Sequence, residues 1–167
     1  MAAISSFIYD GIKGGLGVSA TISGVNISTS FWSSTAAGAS FYWCLVSNNY
    51  VPAENHVYAS AFSGAELSSA SHTGGFNGTG RISITSRVLN FNTTSHQAEF
   101  QANSATWSGI SAGTAHAFLV IQQVTSDGNS ILITYNSLAG FPITTNGTNL
   151  TLAPTSAGIF AGVDFVS

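Results

Sequence analysis

Ala117-Phe118-Leu119-Val120-Ile121, Asp127-Gly128-Asn129 and Ile131-Leu132-Ile133 stand in close succession. Each apolar run is too short for a core helix and is rich in β-branched residues, the pattern of a strand buried on both faces. The Asp-Gly-Asn between them tolerates the positive φ that a tight reversal demands, so the two runs are expected to form a hairpin of buried strands.

Working outward, Phe41-Tyr42-Trp43-Cys44-Leu45-Val46 is apolar at every position and reads as a central strand. Val25, Ile27 and Phe31 alternate with Asn26, Ser28 and Ser30, as a strand with one wet face requires. From Arg81 to Asn92, Ile82 and Ile84 lead to Val88, after which the apolar parity switches to Leu89 and Phe91, which predicts a β-bulge. Gln97 to Ala102 alternates again, with Ala98 and Phe100 inward and Gln97, Glu99 and Gln101 outward. Asn146-Gly147 is a second hairpin signal of the type I′ kind, and Ile159, Phe160, Val163, Phe165 and Val166 close the chain. One helix is expected, over residues 4–13, where Ile4, Phe7, Ile8 and Ile12 recur at spacings of three and four before Gly14, Gly15 and Gly17. Residues 60–80, dominated by Gly, Ser, Asn and Thr, read as a long loop that becomes ordered against a partner. The sum is an all-β chain, an antiparallel β-sandwich or jelly-roll-like single domain over residues 1–167.

Composition narrows the function. Only nine of 167 residues are formally charged: Asp10, Lys13, Glu54, Glu66, Arg81, Arg87, Glu99, Asp127 and Asp164. A globular domain ordinarily carries about 25% charge, against 5% here. Eleven Phe, five Tyr and three Trp supply core material, so the chain is expected to fold rather than stay disordered. Its surface must then be Ser, Thr, Asn, Gln and Gly, which suits close packing against neighbours because burying a hydroxyl or amide costs less than burying a charge. Three basic residues and a net charge of -3 argue against nucleic acid as a partner. No apolar run is long enough to span a membrane as a helix. Met1-Ala2-Ala3-Ile4-Ser5 lacks a basic n-region, which argues against a cleaved secretion signal.

Sites of chemistry fail on context. Gly109-Ile110-Ser111-Ala112-Gly113 matches the G-x-S-x-G nucleophile elbow, yet Thr114 to Gln122 reads as strand where a helix is needed, and no His follows His116. His56, His72, His96 and His116 never fall at ligand-pair spacing, leaving Glu54 with His56 and His96 with Glu99 as the pairs to inspect. No metal or cofactor is expected, and no enzymatic activity. Cys44 reads as a buried thiol acting as a small hydrophobe. The five sequons, at Asn26, Asn77, Asn92, Asn146 and Asn149, are close to the roughly three that twelve asparagines in a Ser/Thr-rich chain produce by chance.

Several segments resemble, in order, a family of small tailed-bacteriophage virion proteins. They are Ala3 to Tyr9, Phe41 to Ser47 with Asn49-Tyr50-Val51-Pro52, His56-Val57-Tyr58, Ala105 to Ser108, Ala117 to Gln123, Ser130 to Tyr135, Thr145 to Thr151 and Ala157 to Phe160. The chain departs from that family in lacking acidic residues around Ala102 to Trp107. The resemblance implies a virion structural protein, a capsid decoration or cement protein on the capsid exterior. Its partners would be the major capsid protein or other virion proteins, and further copies of itself as a dimer or trimer. A tail, collar or fibre module and a carbohydrate-binding receptor module are the rival readings, the last resting on Trp32 in preference to Trp43 and Trp107, whose settings read as core. Phe7, Ile8, Tyr9, Trp32 and Phe76 are the candidate partner contacts.

Overall fold

The computed structural model describes residues 6–8, 20–22, 25–27, 40–67, 80–86, 88–92, 97–110, 112–123, 126–137 and 140–153, with backbone alone for 6–8, 20–22, 25–27, 88–92 and 97–101. The protein is antiparallel and all-β. Its strands are β1 (Ser6–Ile8), β2 (Ala20–Ile22), β3 (Val25–Ile27), β4 (Ser40–Val46), β5 (Ile82–Ser83), β6 (Val88–Asn92), β7 (Gln97–Gln101), β8 (Ala105–Trp107), β9 (Gly113–Ala115), β10 (Ala117–Gln123), β11 (Ile131–Asn136), β12 (Ile143–Thr145) and β13 (Leu150–Leu152).

Five strands form the main sheet in the order β1-β11-β10-β4-β5. The β10–β11 hairpin expected from the sequence is present. Its reversal is wider than two residues: Ser130 donates its backbone N–H to the Ser126 carbonyl at 2.9 Å, closing one helical turn. β4 is interior, paired with β10 along its whole length on one side and with β5 on the other.

The buried apolar residues of β4, β10 and β11 divide between two cores, because alternate side chains leave a sheet on opposite faces. Phe41, Trp43, Leu45, Val120, Ile131 and Ile133 face one way. Cys44, Val46, Leu119, Ile121, Leu132 and Tyr135 face the other. The parity of β11 changes between Ile133 and Tyr135 because the register slips at Val120/Ile121, so that Ile133 is the extra residue of a bulge.

The first face is covered by a ribbon. β8 pairs with β13 and β9 with β12, and between them Ile110 bonds both Gly147 and Thr148, so residues 105–110 and 113–115 run antiparallel to 143–152 as one kinked ladder. Ala105, Trp107, Ile110 and Ala115 are its buried contribution, with Ile143, Leu150 and Leu152 packed alongside. The second face is covered by residues 47–67, a strap that leaves the end of β4 and crosses the sheet. It docks on the edge of β11, where Leu132 N–H donates to Val57 O and Ala59 N–H to Ser130 O, and returns to β4, where Leu67 N–H donates to Leu45 O and Ser47 N–H to Ala65 O. Tyr50, Ala59, Phe62 and Ala65 are its buried residues.

Several expectations change. Ser6–Ile8, placed in a helix over 4–13, is a strand on the edge of β11, with Phe7 opposite Tyr135. A short apolar run fits either period, and pairing with β11 decides it; the rest of 4–13 lies outside the described residues. Arg81 to Asn92 is two strands instead of one bulged strand. Ser86 adopts φ +53°, and the chain leaves β4 after Ile84 to form the β6–β7 pair. Residues 60–67, read as part of a loop awaiting a partner, are ordered against their own sheet, beginning with a 3-10 turn at Ala59–Phe62; residues 68–79 lie outside the described residues, as do 154–167. Asn146-Gly147 closes no hairpin. Gly147, at φ +86°, donates to Ile110 O at 3.0 Å while Ile110 N–H donates to Thr148 O at 3.2 Å, the pattern of a G1 bulge. The glycine is needed for its positive φ, but within a ladder.

Trp107 is fully buried and joins the ribbon to the sheet. Its replacement by Ala should lower unfolding free energy by about 3–5 kcal/mol, measured by denaturant titration, whereas Val51→Ser, at a side chain 77% exposed, should change it by less than about 0.5 kcal/mol.

Candidate functional site

Three of the chain's nine charges meet at one place. Arg81 precedes β5, and one step beyond the Trp43–Ile82 pair it comes opposite Cys44 on the strap side of the sheet. Glu66 lies in the returning end of the strap, bridged to Val46. Asp127 lies in the turn between β10 and β11, whose backbone is fixed by Ser60 N–H donating to Asp127 O at 3.0 Å. The side chains are 0%, 5% and 13% exposed respectively.

All five guanidinium N–H groups are used. Nε and Nη2 donate to the two Glu66 oxygens, both at 2.9 Å. Nη1 and Nη2 donate to the two Asp127 oxygens at 2.8 and 3.1 Å. The remaining Nη1 hydrogen goes to Gln123 Oε1 at 3.1 Å. The guanidinium also sits over the Phe62 ring, 5.6 Å from its centroid. Burial disfavours the charged form of Arg81, but the hydrogen bonds to Glu66 and Asp127 outweigh it and raise its pKa above the ordinary arginine value. A carboxylate pair converging in this way invites an acid/base reading. Here both carboxylates are already bonded to a cation with no spare donor, so the cluster acts as a clamp between strap, sheet and turn.

Cys44 lies beneath the clamp and is fully buried. Burial, reinforced by the Glu66 charge, raises its thiol pKa well above the ordinary value. It is an inert core residue, in line with the sequence reading.

The other candidates separate. Phe7 and Ile8 lie in β1, opposite Tyr135 and Thr134. Tyr9, Trp32 and Phe76 lie outside the described residues, as do His72 and His96. Trp43 and Trp107 are both buried, which removes them as sugar-stacking platforms. His56 shares a 3.0 Å hydrogen bond with the Tyr50 hydroxyl within the strap. Among the described residues no group of three or more His, Cys, Asp or Glu is placed to hold a metal ion. The G-x-S-x-G segment runs from β8 to β9, strand to strand, and Ile110 within it is the partner of the Gly147 bulge. The outer side of this ribbon is uncharged, with Thr106 and Thr151 joined hydroxyl to hydroxyl at 2.8 Å.

The clamp was missed in the sequence because its members are distant there. The available signal was the rarity of charge, with Glu66 set between Ala65 and Leu67 and Arg81 directly before Ile82.

Arg81→Met leaves two buried carboxylates facing each other and should cost about 3–5 kcal/mol in denaturant unfolding. Arg81→Lys should recover little of this, because an ammonium lacks the five-donor fork. Cys44 should resist aromatic disulfide reagents in the native protein and react on unfolding. Since the folded thiol titrates above the unfolded one, its contribution to stability is present below about pH 8.5 and is lost as pH rises past it. Cys44→Ala should therefore flatten the alkaline decline in unfolding free energy, and an unchanged slope would contradict this assignment. Comparison with protein families, with curated proteins and with solved structures finds no match to this chain.

Proposed function

We propose that this chain is a structural protein of a tailed-bacteriophage virion, a sandwich-like capsid decoration or cement protein packed against the major capsid protein and further copies of itself. The observation that carries this reading is the distribution of charge. Of the charged side chains described, Glu66, Arg81 and Asp127 are turned on one another inside the clamp, and Glu54 is the one exposed. Among the described residues, the other exposed polar positions offer hydroxyls and amides, including the Thr106–Thr151 pair and the exposed Asn146, Thr148 and Asn149.

Such a surface is cheap to desolvate against a neighbour. It provides modest individual contacts, and these become effective when a symmetric shell repeats them many times. The ordered resemblance to small virion proteins supports the same reading.

Particles assembled without this chain should form normally but disrupt at lower temperature or on dilution into low salt. Unchanged thermal and low-salt resistance would remove the cement role. Copy number separates shell from tail: hundreds per particle fit the shell, a handful fit a collar or fibre.

A further inference from the structure

We propose that Asn146 is a self-modification site, converting to aspartate and isoaspartate, which the ribbon holds closed through Thr148 and Ile110. Asparagine followed by glycine is the sequence most prone to this reaction, because a glycine nitrogen meets no side-chain obstruction. The Gly147 nitrogen attacks Cγ of Asn146, the Cγ–Nδ2 bond breaks and ammonia leaves with the Gly147 proton. Water then opens the resulting succinimide at either carbonyl. One water is consumed and one ammonia released, and no other reactant is required.

The folded ribbon withholds both reacting groups. Gly147 N–H donates to Ile110 O at 3.0 Å, so the nucleophile is engaged in the ladder. The Asn146 carboxamide is held by Thr148, whose hydroxyl donates to Oδ1 at 2.7 Å and whose backbone N–H donates at 3.3 Å. Reaction therefore requires the bulge to open, and its rate reports ribbon opening. The product has consequences at this position. Isoaspartate adds a methylene to the main chain beside the bulge, and either product places a negative charge on an outer face that otherwise carries hydroxyls and amides.

The test incubates the full chain at mildly alkaline pH, folded and in urea, and follows the amide-to-acid mass change at Asn146 by peptide mass spectrometry. Asn77-Gly78 in the unfolded sample calibrates the intrinsic rate. The folded protein should react at least about tenfold more slowly at Asn146 than the unfolded chain, the factor that 1.4 kcal/mol of opening free energy produces. Thr148→Val should speed the folded-state reaction by about two- to tenfold, the worth of one hydrogen bond, while leaving the unfolded rate unchanged. Equal folded and unfolded rates, or a folded rate insensitive to Thr148→Val, would overturn the proposal.

Discussion

The guanidinium of Arg81 is the point on which the strap side of the molecule depends. A buried charge is tolerable only when its hydrogen-bonding capacity is exhausted, and five bonds to Glu66, Asp127 and Gln123 do so. Each partner belongs to a different part of the chain: the returning strap, the β10–β11 turn and the end of β10. Satisfying one side chain therefore fixes three segments relative to β5. The ring of Phe62 beneath the cation adds the 3-10 turn to the same assembly. Strap residues contribute only a few large apolar side chains, Tyr50 and Phe62 foremost, so hydrophobic burial alone would leave the path of the segment weakly specified. The clamp supplies that specification.

A sheet that is apolar on both faces must be covered twice, and the two covers are built differently. The ribbon is itself a β-ladder and buries alternate residues, with Trp107 the largest. The strap is irregular and holds its backbone through hydrogen bonds to the stretches of β4 and β11 that lie beyond their pairing with β5 and β1. Those bonds also occupy sheet edges that would otherwise invite pairing with another chain. The two covers meet at the entry to β5, where the Trp107 indole N–H donates to the Gly80 carbonyl, next to Arg81. Core packing on one face and ion pairing on the other are thus anchored at neighbouring residues.

The central strands were legible because their signal is local and redundant. β4, β10 and β11 are apolar at consecutive positions, and burial on both faces permits no other strand reading. The failures were at places where a local pattern has two solutions and a distant partner selects one. Ile4, Phe7 and Ile8 satisfy a helical spacing, yet pairing with Tyr135 and Thr134 makes Ser6–Ile8 a strand. Gly147 needs positive φ in a hairpin turn or in a G1 bulge alike, and only Ile110 across the ladder distinguishes them. The parity change after Val88 predicts a bulge within one strand, but the chain has already left the sheet after Ile84, at a left-handed Ser86. The G-x-S-x-G and Asn-Gly segments, each a recognisable motif read alone, turn out to be the two sides of one kink. For the clamp no local pattern exists, since Glu66, Arg81 and Asp127 are joined only by topology.

The economy of charge and the architecture explain each other. A chain with nine charges that commits three to its interior leaves a surface unable to rely on charge repulsion to stay dispersed. On the proposed reading, such a surface is packed against neighbours instead of being kept apart by charge. Such packing in turn demands that the module keep its shape without help from a highly solvated exterior. An internal clamp meets that demand, because its strength does not depend on exposed ion pairs that salt would screen. The same reasoning explains why the outer side of the ribbon can be threonine and asparagine: its stability comes from the face turned inward.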